Sequence, residues 1–129
     1  MNPIFVVAMV AVAIVFFVAF KGIRQSNVFS SIDVKAFADK LKTGQELIIL
    51  DVRTPAEFAQ GSIKGALNID VNGQNFKDNI TSLDKDKSYL IYCRSGMRSV
   101  KACNIMAENG FKNMFNLLGG YQAWSPNIK

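Results

Sequence analysis

Tyr89-Leu90-Ile91-Tyr92-Cys93-Arg94-Ser95-Gly96-Met97-Arg98-Ser99 is the stretch whose reading decides the fold. Its four leading apolar residues suit a strand buried on both faces. The strand ends at Cys93, and a helix from Ser99 to Asn109 is expected to follow, with Ser99 able to cap it and Gly110 closing it in a left-handed conformation. In open parallel sheets, ligands gather outside the carboxyl ends of the strands, which is where Cys93 stands. The loop Arg94, Ser95, Gly96, Met97, Arg98 can turn several backbone N–H groups toward one point and make an anion-binding nest. The following helix dipole and two arginines add to the positive field. A thiol held there should ionise readily, and the thiolate is a nucleophile that needs no histidine. The plain alternative for Cys93 is a small residue buried at a strand end.

Outward from this stretch the same alternation continues. Leu47-Ile48-Ile49-Leu50 is a second buried strand entering Asp51. Thr54-Pro55-Ala56-Glu57 combines a capping box with Pro at the first helical position, so a short helix should follow. Gly61 and Gly65 bracket a turn, and Ala66-Leu67-Asn68-Ile69 reads as a short strand. Residues 70–82 are polar, with one short helix expected around Phe76 to Ile80. Toward the amino end, Ser31 is a candidate N-cap for a helix from Ile32 to Leu41, which Thr43-Gly44 ends. Toward the carboxyl end, Met114 to Leu117 is a last strand, Gly119-Gly120 a tight turn and Tyr121 to Trp124 a helical turn. This order predicts an α/β fold with a central, mostly parallel sheet flanked by helices.

Composition narrows the chemistry. The 129 residues include no histidine, which removes imidazole bases and His-bearing metal sites. Two cysteines cannot form a four-thiolate metal centre; neither a metal nor another cofactor is expected. Cys103 lies within the helix at spacing that suits a core thiol; a resolving partner for Cys93 is the alternative. The net charge is +5, and +3 once Lys21 and Arg24 are set aside. No Lys/Arg run interleaved with aromatics appears, so no nucleic-acid partner is expected.

Four blocks then carry a resemblance. They are Asp51-Val52-Arg53-Thr54-Pro55-Ala56-Glu57-Phe58, Gly61 to Ile69, Tyr92 to Ser99, and Leu118-Gly119-Gly120-Tyr121-Gln122-Ala123-Trp124. In this order they resemble a single-domain rhodanese, a sulfurtransferase, over nearly all of residues 28–125. The resemblance implies the three-layer rhodanese-like fold, with Cys93 as the sulfur-carrying residue and Arg94 to Ser99 as its substrate-binding loop. It implies a small anionic sulfur donor such as thiosulfate, and cyanide, a thiol or another protein as acceptor. The loop amides and Arg98 would stabilise the charge of donor and persulfide. Asp51, Arg53 and Glu57 are read as structural support, with an Arg53–Glu57 ion pair bracing the site. Where the family commonly has histidine this chain has Ser62, a position read as structural. Two rivals stand beside this reading. A cysteine-dependent phosphatase or arsenate reductase would need Cys-x5-Arg, whereas four residues separate Cys93 from Arg98. A membrane-tethered binding or regulatory module would keep the fold without turnover.

The amino-terminal end has a different character. Ile4 to Phe20 contains no polar residue, and 17 helical residues reach roughly 26 Å, the short end of a bilayer crossing. Residues 1–21 are read as a transmembrane segment, with membrane contact through residues 3–20. Residues 22–27 are a short polar join, and residues 28–129 are the rhodanese-like domain. Lys21 and Arg24 follow the apolar run, which places the domain on the cytoplasmic side of a single-pass protein. The alternative is a cleaved signal and a periplasmic or secreted domain.

Overall fold

The computed structural model describes residues 29–125. Five strands, β1 (Phe29–Ile32), β2 (Leu47–Asp51), β3 (Leu67–Asn68), β4 (Ser88–Tyr92) and β5 (Asn113–Leu117), form one sheet in the order β1-β5-β4-β2-β3. Every pairing is parallel. Five helices complete the described domain: α1 (Val34–Lys42), α2 (Pro55–Gln60), α3 (Phe76–Thr81), α4 (Met97–Glu108) and α5 (Gly120–Trp124). The expected transmembrane segment and polar join lie outside the described residues. Among those described, no helix is long and apolar enough to cross a membrane.

The two apolar runs are the middle of the sheet. Tyr89, Leu90, Ile91 and Tyr92 of β4 are all fully buried, and Leu50 of β2 pairs with Ile91. Alternation along β4 sends Tyr89 and Ile91 to one face, against Ala102, Cys103 and Met106 of α4 and Ile80 of α3. Leu90 and Tyr92 point to the other face, with Phe37 of α1 and Trp124 of α5. Phe37 and Trp124 meet edge to face at 5.6 Å, so Trp124 is a packing residue. Each fully buried Leu or Ile contributes about 1.5–3 kcal/mol, so these two layers carry most of the drive to fold.

Two boundaries differ from expectation. Ser31 is not a helix cap, because Phe29–Ile32 is an edge strand in which Ser31 stands opposite Asn116. Asp33 caps α1 instead, its carboxylate accepting the Ala36 N–H at 2.8 Å. The last expected helix but one starts at Met97 rather than Ser99: Gly96, at φ +106°, turns the chain directly into α4, leaving Ser99 inside the first turn. The capping box of α2 is formed as read, with Pro55 at its start.

Candidate active site

Cys93 follows β4, next to the end of β2, where Asp51 pairs with Tyr92. The residue is 0% exposed, so its sulfur answers to protein groups rather than to water. The Gly96 N–H donates to Sγ at 3.0 Å, and the Ser99 hydroxyl lies 3.3 Å away. Ser99 Oγ also donates to the Gly96 carbonyl at 3.1 Å. Its single proton can therefore face Gly96 when the sulfur is a thiol, and swing to the sulfur when it is a thiolate. Burial pushes the thiol pKa up. The Ser99 hydroxyl and the amides of Ser99, Gly96 and Ser95 outweigh it and hold the group below its ordinary value. These donors thus favour the thiolate more than water would at the carboxyl edge of the sheet.

Arg98 leaves the loop and crosses to α2. Its Nη1 and Nη2 donate to the two carboxylate oxygens of Glu57 at 2.7 and 2.9 Å, a bidentate pair. Glu57 Oε1 also accepts from the Thr54 hydroxyl. The expected Arg53–Glu57 pair is therefore corrected: Glu57 belongs to Arg98. The charge of Arg98 still acts on Cys93, whose thiolate raises the arginine's own pKa after Glu57 has done so. Arg98 is the main reason that Glu57 falls from an ordinary 4.5 to about 2. A carboxylate depressed in the folded state adds stability above its unfolded pKa and loses it as pH falls through the folded one. The Glu57 contribution should hold above about pH 4.5 and fade toward about pH 2. Urea midpoints at pH 7 and pH 3 would therefore differ less in Glu57→Gln than in the parent, and an unchanged difference would remove Glu57 from the acid response.

Arg53 turns inward instead. Its Nη2 donates to Asp51 Oδ2 at 2.7 Å and to the Gly61 carbonyl at 2.7 Å. Its Nε and its backbone N–H both reach Asp51 Oδ1, at 3.1 and 2.9 Å. The guanidinium lies over the Tyr121 ring, 4.4 Å from the centroid. Asn68 donates to the carbonyls of both Asp51 and Arg53 at 3.0 and 2.9 Å, tying the end of β2 to β3. Arg94 is exposed, and its side chain makes no hydrogen bond or ion pair among the described residues. It borders a cleft of about 650 Å³ shared with Glu57, Gln60, Tyr121 and Gln122. No group of three His, Cys, Asp or Glu side chains converges on a metal position among the described residues.

Residues 33–127 match the Rhodanese-like domain. The chain belongs to the rhodanese family. A protein of Allochromatium vinosum named sulfurtransferase is 35% identical over 96 residues, covering 74% of this chain and 88% of that one. Thiosulfate sulfurtransferase 16, chloroplastic, of Arabidopsis thaliana is 34% identical over 114 residues, covering 81% and 93%. The crystal structure of a rhodanese-like domain protein from Staphylococcus aureus has a TM-score of 0.67 at 35% identity, covering 74% of this chain and 90% of that one.

The rhodanese domain gathers Cys93, Gly96, Arg98, Ser99 and Glu57 at one place, while Asp51 and Arg53 pair at the end of the adjacent β2. Met97 points away, 81% exposed. Cys103 is buried in the core, and burial pushes its thiol up to about 12, the state of an inert packing thiol. Ser62, half-buried, stands outside this group, next to Ile63, whose N–H donates to the Tyr92 hydroxyl. Two contributors escaped sequence reasoning. One is Asn68, whose amide gives no signal in a short strand. The other is the start of α5, where the Tyr121 and Gln122 amides donate to the carbonyls of Cys93 and Arg94 at 2.7 and 3.1 Å.

Proposed function

We propose that this rhodanese-family chain is a sulfurtransferase that carries sulfane sulfur on Cys93, with thiosulfate or a similar small anion as donor. The observation that carries this reading is a sulfur at the end of β4 ringed by donors that favour its thiolate. The Cys93 thiolate attacks the outer sulfur of thiosulfate. The donor's S–S bond breaks, its electron pair leaves with sulfite, and Cys93 holds a persulfide. Cyanide or a thiolate then attacks the outer sulfur, leaving as thiocyanate or a new persulfide while Cys93 regains its electron pair. The acceptor in this reading is cyanide, a low-molecular-weight thiol or another protein. The amides beside Cys93 stabilise negative charge in both steps without moving. Arg98 acts as an electrostatic brace, because Glu57 already holds one N–H of each of its two terminal nitrogens; the exposed Arg94 is the guanidinium open to an arriving anion. That commitment also argues against a phosphatase, which would need its loop arginine free to clasp a tetrahedral anion. The test is the intact mass of the protein after incubation with thiosulfate. A gain of one sulfur atom, reversed by cyanide, is the expected result. No gain by the folded protein, with thiosulfate and with a low-molecular-weight persulfide alike, would leave a binding module without turnover.

Residues 3–20 are proposed to anchor this domain in a membrane with the site on the cytoplasmic side. The support is the unbroken apolar run followed by Lys21 and Arg24. Protease added outside intact cells should leave the domain whole. Digestion there would defeat the assignment.

A further inference from the structure

The start of α5 rests on the backbone of the sulfur loop with no side chain between them. A Cβ placed on Gly120 would lie 2.5 Å from the Cys93 carbonyl oxygen and 2.6 Å from the Arg94 carbonyl carbon and oxygen. Those atoms are backbone and cannot turn aside as a side-chain tip could. Gly120 also has φ +59°, a conformation in which L side chains are strained. Across this contact, Tyr121 and Gln122 give their N–H groups to the Cys93 and Arg94 carbonyls. A trans peptide unit holds its C=O and N–H in opposite directions. Pinning the Arg94 carbonyl to α5 therefore turns the Ser95 N–H the other way, and Ser95 is among the amides that favour the Cys93 thiolate.

We propose that Gly120 is a positioning residue for sulfur transfer: by letting α5 clasp the Cys93 and Arg94 carbonyls, it aims the opposite amide edge of the loop at the sulfur. The inference rests on the reading of Cys93 as the sulfur carrier, but its test does not require transfer. Arg98, which acts on the thiol and is itself held by Glu57 and influenced by Asp70, and the buried Cys103 are left in place by the variants used.

The test is the pH dependence of Cys93 alkylation by iodoacetamide in the full chain. The midpoint belongs to the thiol, so it separates ionisation from general loss of stability. Gly120→Ala should raise that midpoint by about one unit, a roughly ten-fold smaller thiolate fraction at a fixed pH below it. Gly44→Ala is the control: φ is +69° there with no atom near the added Cβ, so it carries backbone strain alone and should leave the midpoint in place. Gln122→Pro removes one clasping donor and sets its ring carbon where that N–H met the Arg94 carbonyl, so the carbonyl must leave α5; the site is in the first turn of the helix, where Pro is tolerated, and the variant should shift the midpoint the same way. It decides the matter if Gly120→Ala does not fold. An unchanged midpoint in folded Gly120→Ala, or in Gln122→Pro where only that variant folds, would overturn the proposal and leave Gly120 as a packing residue.

Discussion

Cys93→Ser should fold like the parent and gain no mass from thiosulfate. The hydroxyl is close in size to the thiol and can keep the Gly96 N–H and Ser99 contacts. It cannot supply the thiolate, because nothing beside it is a base strong enough to ionise an alcohol and the chain has no histidine. Loss of loading should therefore be complete, against a small change in the urea midpoint. Cys103→Ala is its counterpart: that thiol packs in the core beside Ala102 and Met106 and is pushed up to about 12 by burial, so it stays protonated and should be dispensable for loading while losing some packing. Sulfur uptake by Cys93→Ser, or its loss in folded Cys103→Ala, would exchange the roles assigned to the two cysteines.

The largest stability effect belongs to Asp51. Both its oxygens are taken by Arg53, and the side chains are 0% and 5% exposed. Asp51→Ala leaves a guanidinium buried without its counter-charge, and breaking such a pair costs about 3–5 kcal/mol. Domains of this size are stable by only about 5–15 kcal/mol, so much of the margin should vanish in a urea titration. The double variant Asp51→Leu with Arg53→Met removes the orphaned charge and should recover part of the loss. A cost below about 1 kcal/mol for Asp51→Ala would show that Arg53 finds other partners, the Gly61 carbonyl first among them.

Features whose physical cause lies within a few residues of chain are legible in the sequence, and those assembled by the fold are not. Tyr89–Tyr92 and Leu47–Leu50 announced themselves because strands covered on both faces need unbroken apolar runs. The capping box of α2 was legible because its chemistry lies within four residues. β1 was missed because Phe29-Ser30-Ser31-Ile32 is an edge strand, covered too little to need such a run. The partner of Glu57 was misread for a related reason. Arg53 is four residues away, but its own backbone N–H and its Nε both close onto Asp51 and turn it inward. Arg98, 41 residues away, is brought over only by the fold. The clasp of α5 uses main-chain atoms, so its one trace in the sequence is a glycine that looks like any turn.

All five strands run the same way, and this gives the domain two unlike poles. Phe29 opens β1, so the polypeptide enters at the pole where strands begin; Cys93 stands at the pole where they end. Four to five residues at about 3.3 Å each separate the two by roughly 15 Å of sheet. A molecule that must reach Cys93 therefore meets the sheet from the pole opposite Phe29, the first described residue.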